Sequence, residues 1–146
     1  MNIGEICSRE VIVVHTGDSL LEAARQMCDR HVGTVIVVED RGPERLPIGI
    51  ITDRDIVRAQ LKRAADLCCL GVPQAMTTNL LVLRENESMT DAIEKMRARA
   101  VRRAPVVNAA GALIGVISVD DLLSAVAEQL SGLVRLVEVQ QHREAA

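Results

Sequence analysis

The sequence contains one pattern twice, and the two copies lie 69 positions apart. "SLLEAARQM", starting at Ser19, matches "SMTDAIEKM", starting at Ser88, with serine, an acidic fourth residue, alanine and methionine in register. Each copy opens with Ser-x-x-acid, the pattern of a capping box, and continues with apolar residues at helical spacing. A repeat of this length indicates that the chain is built from two similar units.

The segments that flank these two helices repeat as well. A β-like run precedes each helix and another follows it, and each copy then has a turn and a segment of the form "IGIITDRDIV" or "IGVISVDDLL". The order strand, helix, strand, turn, strand, helix predicts two β-α-β-β-α units of mixed α+β or α/β class. The runs are 11–14, 80–83, 34–40 and 103–109, the turns 41–47 and 109–111, and the last segments begin at Ile48 and Ile114.

Domain boundaries follow from the repeat and from breaks in the pattern. We place the first unit at residues 1–70 and the second at 71–131, because "LGVPQAM" introduces Gly71 and Pro73 between them. Residues 132–146 are expected to add a short C-terminal helical tail, in which Leu133, Leu136 and Val137 face inward or toward a partner. A unit of about 60 residues is marginal alone, so the two should pack together.

Composition excludes several classes of function. Apolar residues make up 49% of the chain, enough for a core, but Phe, Tyr and Trp are absent. The net charge of −3 and the missing aromatic residues argue against nucleic-acid binding. No apolar run approaches the ~18 residues of a membrane span, and the N-terminus lacks a signal-peptide pattern. We therefore expect a cytoplasmic protein that does not bind a membrane.

Cysteine and histidine spacing gives little support for a metal site. The four cysteines form no C-x-x-C pair, and the three histidines are far apart in sequence. We expect most of the cysteines to be small buried apolar groups. The adjacent Cys68 and Cys69 leave open a soft-metal or oxidation-sensing role.

Two copies of Gly-apolar-apolar-Thr/Ser-x-x-Asp are the most specific motifs in the chain. They run from Gly49 to Asp55 and from Gly115 to Asp121, and "QAMTTN" and "APVVNAAGALIGVIS" accompany them. With these motifs, residues 3–130 resemble a pair of CBS domains, the arrangement called a Bateman module. The resemblance implies two units packed sheet to sheet with pseudo-twofold symmetry, and two clefts that bind AMP, ADP, ATP or S-adenosylmethionine. It also implies a stand-alone regulatory homodimer that needs no cofactor and is not an enzyme.

The Thr-x-x-Asp pattern has two interpretations that the sequence leaves open. Thr52-x-x-Asp55 and Ser118-x-x-Asp121 are capping boxes in their own right and need no ligand. The same helix N-terminus also favours a phosphate, and its carboxylate can accept hydrogen bonds from a ribose diol. Arg54 would add a fixed positive charge.

The resemblance also implies which residues line each cleft, because each combines the Thr-x-x-Asp of one unit with strand starts of the other. We expect the first cleft, which has more positive charge, to be the occupied one if only one binds ligand. We expect micromolar or weaker affinity, since adenine would contact only aliphatic groups and backbone. The first set is Thr52, Arg54, Asp55, Thr78, Leu80, Val101, Arg102 and Arg103, and the second is Ser118, Asp121, Ser8, Ile12, Gly33 and Thr34.

The sequence departs from the common pattern of the family at two places. Cys7 stands where many members have Met, and Arg102 and Arg103 replace residues that are often smaller. These arginines could partly fill the first cleft in the absence of ligand.

Two other classes of function compete with the ligand-sensing hypothesis. An assembly adaptor with empty clefts would use the helices predicted at 54–68 and 120–137 as contact surfaces. An enzyme acting on a nucleotide has weak support, because the sequence shows no P-loop, catalytic His or Cys arrangement, or metal cluster.

Overall fold

Each copy of the repeat forms a three-stranded sheet with helices packed on it. The computed structural model describes residues 1–145, and the two sheets have the orders β1-β2-β3 and β4-β5-β6. The elements are α1 (Ile3–Ile6), β1 (Val13–His15), α2 (Leu20–Arg30), β2 (Thr34–Arg41), β3 (Glu44–Thr52), α3 (Asp53–Arg63), two 3-10 turns (Leu67–Cys69 and Val72–Gln74), β4 (Leu83–Arg84), α4 (Met89–Arg99), β5 (Arg103–Val107), β6 (Leu113–Ser118) and α5 (Val119–Ala145).

Both sheets have the same topology and the same irregularity. The first strand is parallel to the second, and the second is antiparallel to the third. In the first sheet Val37 pairs with Gly49 while Val38 pairs with Pro47, which leaves Ile48 as a bulge. Ile114 is bulged in the same way in the second sheet. A bulge tolerates Pro47, which has no N–H to donate to a ladder.

The first hairpin is tighter than the sequence indicated. Residues 41–47 were predicted as a turn, but only Gly42 and Pro43 lie between the paired residues Arg41 and Glu44. Gly42 has φ +61°, a conformation that glycine adopts readily. Arg41 is the last residue of β2, and the residues of the predicted turn after Pro43 extend β3.

The first strand of each unit is shorter than the apolar run that predicted it. β1 begins at Val13 and β4 consists of Leu83 and Arg84 only. Val11 and Ile12 lie ahead of β1, where only the Ile12 carbonyl joins the ladder by accepting from the Ile36 N–H at 3.0 Å.

Each unit's core includes a short segment from the other half of the pattern. The segment before the first sheet packs on the second unit, and the segment before the second sheet packs on the first unit. We call residues 2–8 and 71–77 the lead-in segments. Ile3, with 0% exposure, belongs to the core of the second sheet, and Val72, also 0% exposed, belongs to that of the first. The lead-in segments pair with the opposite third strand, since Ser8 exchanges two hydrogen bonds with Val116 and Thr77 two with Ile50. The two units are therefore interlocked.

The last helix of each unit, α3 and α5, differs from the prediction. α3 ends at Arg63, followed by Ala64 in the left-handed conformation, so it does not reach residue 68. The tail is not a separate short helix, because α5 runs without a break from Val119 to Ala145. Leu133, Leu136 and Val137 are 50–61% exposed rather than packed inward. Within residues 1–145 no helix has the length and apolarity to cross a membrane.

Candidate functional site between the two units

Both Thr-x-x-Asp motifs form complete capping boxes. The Thr52 hydroxyl accepts from the Asp55 N–H at 3.2 Å, and Asp55 Oδ2 accepts from the Thr52 N–H at 2.9 Å. Ser118 and Asp121 repeat this arrangement at 3.1 and 2.9 Å. Only one oxygen of each carboxylate is used, and no residue in 1–145 donates to the other oxygen of Asp55 or Asp121. The cap therefore leaves an acceptor for a ligand.

The boxes predicted at Ser19 and Ser88 are only half formed. Each hydroxyl accepts from the backbone N–H three residues on, Glu22 at 3.2 Å and Asp91 at 3.1 Å. The Glu22 carboxylate does not return to the cap and instead accepts from Gln26 at 3.3 Å. Complete boxes thus form at the two helices that follow the third strands and at the short α1, where Asn2 and Glu5 exchange two such hydrogen bonds.

A cleft of about 210 Å³ lies between the units at the Ser118–Asp121 motif. Three serine and threonine hydroxyls, two carboxylates and one guanidinium face it, and aliphatic side chains form the rest of its wall. It is lined by Ser8, Glu10, Val11, Ile12, Val32, Thr34, Ile36, Arg103, Val116, Ser118 and Asp121.

A close backbone approach brings Ser8 to this cleft. Gly115 lies so near the first lead-in segment that a Cβ there would be 2.6 Å from the Ser8 carbonyl oxygen and 2.8 Å from the Cys7 sulfur. Gly49 meets Met76 and Thr77 in the same way at the pseudo-symmetric place. Cys7 thus occupies the position that Met76 has in the other unit.

Burial of Cys7 affects its chemistry. Burial raises the pKa of the Cys7 thiol, and the nearby Arg9 opposes this only in part. A thiol with a raised pKa is largely protonated at neutral pH and therefore a poor nucleophile. Cys7 is a packing group behind the cleft.

The structure brings most of the second predicted set together. Ser8, Ile12, Thr34, Ser118 and Asp121 all line the cleft. Gly33 is the neighbour of Thr34, and its carbonyl accepts from the Asp53 N–H at 3.0 Å, beside the start of α3. It supports the wall of the first unit and is not itself a lining residue.

The first predicted set is less closely assembled. Thr52 and Asp55 form their box, Leu80 and Val101 are half-buried, and Thr78 is exposed. Arg54 and Arg102 are also exposed, and the Arg102 carbonyl accepts from the Val119 N–H at 2.9 Å. Within residues 1–145, no hydrogen bond or ion pair joins Asp55 or Arg54 to residues 101–103.

Arg103 lines the second cleft, although the sequence assigned it to the first. It pairs with Ser118 across the antiparallel β5–β6 ladder, which places it beside the Asp121 motif of its own unit. The sequence could have predicted this position of Arg103, because the start of one strand in an antiparallel hairpin lies beside the end of the next strand. The cleft residues that sequence reasoning missed are Glu10, Val11, Val32, Ile36 and Val116, and Arg103 was expected elsewhere.

The four cysteines do not assemble with other metal ligands. Among the described residues no group of three or more His, Cys, Asp or Glu side chains could hold a metal ion. Cys68 and Cys69 are exposed, with their sulfurs 3.8 Å apart. The Cys68 hydrogen bond raises the pKa of Cys69.

Comparison with known proteins gives the family. The CBS domain model matches residues 3–62 and 71–128. An uncharacterized 17.7 kDa protein of Acidianus ambivalens is 31% identical over 84% of this chain and 71% of its own length. An uncharacterized Methanopyrus kandleri protein is 28% identical, and the chain spans 61% of it.

Solved structures show the same fold. The CBS domain pair of protein MJ0100, solved with 5′-methylthioadenosine and S-adenosyl-L-methionine, has a TM-score of 0.74 at 22% identity, over 88% of this chain and 98% of that one. The CBS-domain protein ATU1752 of Agrobacterium tumefaciens has a TM-score of 0.70 at 28% identity, over 86% and 98%. The family model matches both repeats, and the chain belongs to the CBS-domain family.

Proposed function

We propose that this protein is a regulatory module that binds an adenosine-containing ligand in the cleft at Ser118 and Asp121. The observation that carries the proposal is the Asp121 carboxylate, which lies at a cleft lined by both units and has one oxygen outside its cap. A carboxylate oxygen is a strong acceptor for the hydroxyls of a ribose diol. The adenosyl ligands of the MJ0100 domain pair support the ligand class.

The walls of the cleft suit the two ends of a nucleoside. Val11, Ile12, Val32 and Ile36 offer an aliphatic surface to a purine. Ser8, Thr34 and Ser118 supply hydroxyls that both donate and accept. Because no aromatic residue is present to stack on the base, binding depends on this aliphatic contact and on hydrogen bonds.

Charge favours a thioadenosine or S-adenosylmethionine over a nucleotide with several phosphates, and size favours the smaller thioadenosine. Glu10 and Asp121 outnumber the single cation, Arg103, among the lining residues. The volume of about 210 Å³ is also below the roughly 300–1,000 Å³ of typical small-molecule sites. A triphosphate would add negative charge that this cleft does not balance, so we rank ATP and ADP below AMP and AMP below the uncharged thioadenosine.

A ligand in this position would bias the relative arrangement of the two units. Thr34 and Ile36 belong to the first sheet, whereas Ser118 and Asp121 belong to the second and its helix. A ligand that contacts both binds one inter-unit angle better than another, and this difference in affinity is the signal a partner would read.

Calorimetric titration of the full chain with 5′-methylthioadenosine, S-adenosylmethionine, AMP, ADP and ATP tests the proposal. Asp121→Asn is the diagnostic variant, because an asparagine oxygen can still accept from the Ser118 N–H and keep the helix cap. Asp55→Asn is its matched control at the other motif. We expect Asp121→Asn to weaken binding about tenfold or more and Asp55→Asn to leave it unchanged.

Three results would contradict the proposal. The absence of heat with every ligand would leave Asp121 as a helix cap only. If both variants bound a ligand as tightly as the wild type, the ligand would bind outside both motifs. Loss of binding in Asp55→Asn alone would return the ligand to the cleft that the sequence favoured.

The alternative is an assembly adaptor with empty clefts. It is supported by the capping boxes, which are complete without a ligand, and by exposed apolar residues on α3, where Leu61 is 78% exposed and Val57 57%. Titrations without heat, together with loss of partner capture in a Leu61→Ser variant, would favour the adaptor.

A further inference from the structure

Cys68 and Cys69 form an exposed pair of thiols near the end of the first unit. Most of the cysteines were expected to be buried, but both of these are exposed, and their sulfurs lie 3.8 Å apart. They belong to the 3-10 turn Leu67–Cys69, and neither is part of a hydrophobic core or of the cleft between the units. Packing of the fold therefore does not explain the two thiols.

The fold holds the backbone of this turn in place. The Cys69 N–H donates to the Asp66 carbonyl at 2.9 Å, and the Leu70 N–H donates to the Leu67 carbonyl at 3.2 Å. Leu67 packs against the first core, and Leu70 is buried in it with 3% exposure. The Leu70 carbonyl accepts from the N–H of Leu20, the first residue of α2, at 2.8 Å. The thiols thus face solvent from a turn whose backbone is fixed by buried neighbours.

The distance between the two sulfurs distinguishes metal binding from a disulfide. Two thiolates that bind one ion at about 2.3 Å, with a tetrahedral angle between them, have their sulfurs roughly 3.8 Å apart. Cys68 and Cys69 already have this separation. A disulfide needs sulfurs about 2.05 Å apart and Cα atoms roughly 4.4–6.8 Å apart, whereas the Cα atoms of adjacent residues are only about 3.8 Å apart across a trans peptide. The turn can therefore accept an ion between the sulfurs without the backbone change that a disulfide requires.

The available ligands indicate a soft metal ion with an open coordination position. Thiolates select soft ions such as Cu(I) rather than magnesium or calcium. Among residues 1–145 no third His, Cys, Asp or Glu side chain completes the site, so any further ligand comes from solution. The Asp66 carboxylate acts electrostatically on Cys69 and adds negative charge beside the pair. A site with an open position differs from the closed, four-ligand sites that serve only structure.

We propose that Cys68 and Cys69 together bind a soft metal ion of the Cu(I) class through both thiolates. Each thiol loses its proton when its sulfur binds the ion, so one Cu(I) releases two protons and no electron is transferred. The bound ion also restrains the turn that carries the hydrogen bond from Leu20 to Leu70. This role is separate from ligand binding in the cleft at Asp121.

Anaerobic titration of the full chain with Cu(I), in competition with the chromogenic chelator bicinchoninate, tests the site. The wild type is expected to bind one Cu(I) per chain. Cys68→Ser and Cys69→Ser should each weaken binding about a hundredfold or more, because each leaves a single thiolate. Cys28→Ser is the matched control and should bind as the wild type does, since Cys28 is also exposed but has no adjacent cysteine.

A synthetic peptide of residues 64–71 shows whether the fold contributes to the site. The full chain should bind Cu(I) about tenfold or more tightly than the peptide, because its turn is already ordered. Equal affinities would mean that the thiols are merely reactive, and would overturn the site.

Three other results would also contradict the proposal. They are a wild type that cannot compete with the chelator, a Cys28→Ser variant that binds as weakly as Cys68→Ser, and a protein whose mass in sedimentation doubles on adding Cu(I), which would indicate an ion shared between chains. Binding of 5′-methylthioadenosine to Cys68→Ser should match the wild type. The test of this site and that of the cleft therefore fail independently.

Discussion

At the scale of single residues, the two motif glycines are positions where a Cβ would not fit unless a neighbour moved. Gly115 and Gly49 each let a lead-in segment approach a third strand, but their neighbours differ. A Cβ at Gly115 would lie 2.6 Å from the Ser8 carbonyl oxygen, whereas one at Gly49 would lie 2.9 Å from the flexible Met76 sulfur and 3.2 Å from the Thr77 carbonyl oxygen. The same substitution should therefore cost more at Gly115.

Gly115→Ala is expected to destabilise the protein by about 2–3 kcal/mol and Gly49→Ala by about 1 kcal/mol, as for overpacked cores. Urea unfolding of both variants measures the difference. Since Ser8 must move to admit the methyl group, Gly115→Ala should also weaken ligand binding in the Asp121 cleft. Equal costs at the two glycines would contradict the role of the rigid Ser8 carbonyl.

The sequence predicted individual residues well where the chemistry is local. Thr52, Asp55, Ser118 and Asp121 form the hydrogen bonds that their spacing indicates. The position of Arg103 was not predicted, because it depends on the β5–β6 register and on how the units meet. Ala64 and Ala100 with positive φ could not be predicted either, since glycine or asparagine usually ends helices in this way.

At the scale of elements, the turn between β4 and α4 ties the N-terminus to the second unit. Glu87 accepts from Lys95 at 2.8 Å and from the Arg84 N–H at 3.1 Å, and its carbonyl accepts from the Ile3 N–H at 3.0 Å. Burial alone would raise the pKa of Glu87, but the hydrogen bonds from Lys95 and the Arg84 N–H, together with the positive charges of these two residues, outweigh it and lower the pKa below the usual 4.5.

This lowered pKa predicts a pH-dependent contribution to stability. A group with a depressed folded-state pKa stabilises the fold above its unfolded pKa and loses that effect as the pH falls through the folded value. Glu87→Gln should thus destabilise the protein by about 0.5–1 kcal/mol at pH 7, and the difference from the wild type should disappear as the pH falls through the lowered pKa of Glu87. Glu94→Gln, on the exposed side of α4, is the control. A difference independent of pH would show that the contact does not act through charge.

The sequence predicted the bounds of some helices accurately and those of the first strands less accurately, and the difference has a physical reason. α2 and α4 match their amphipathic spacing, because one helical face is enough to define them. The strand runs at 11–14 and 80–83 were longer than β1 and β4, since a strand exists only where a neighbour completes its ladder. α5 exceeded its prediction because Gly132 does not interrupt the helix.

At the scale of the whole molecule, the exchanged lead-in segments make the two units depend on each other. The repeat predicted two units. It did not predict that each core would include a residue from the segment that precedes the other unit's sheet. Nothing in the local pattern of "NIGEIC" distinguishes packing on the nearer sheet from packing on the farther one. Ile3 is buried among Leu83, Ala92 and Met96, and this position is determined by tertiary packing.

This exchange predicts that core mutations in the lead-in segments act on the opposite unit. Ile3→Ala should destabilise the protein by about 2–5 kcal/mol, because it leaves a cavity in a fully buried site. Val72→Ala, at the pseudo-symmetric position, should cost somewhat less because it removes fewer atoms. Both variants should still unfold in one transition, since neither core is complete without the other lead-in segment.

Amide hydrogen exchange shows which unit each variant loosens. Ile3→Ala should speed exchange in β5 and β6, 100 residues away in sequence, more than in β2 and β3, and Val72→Ala should do the reverse. If Ile3→Ala loosened β2 and β3 first, residues 2–8 would belong to the nearer unit. If each variant loosens the opposite unit, as expected, the geometry of the cleft between the units depends on both cores. A ligand bound at Asp121 then affects the packing of both units.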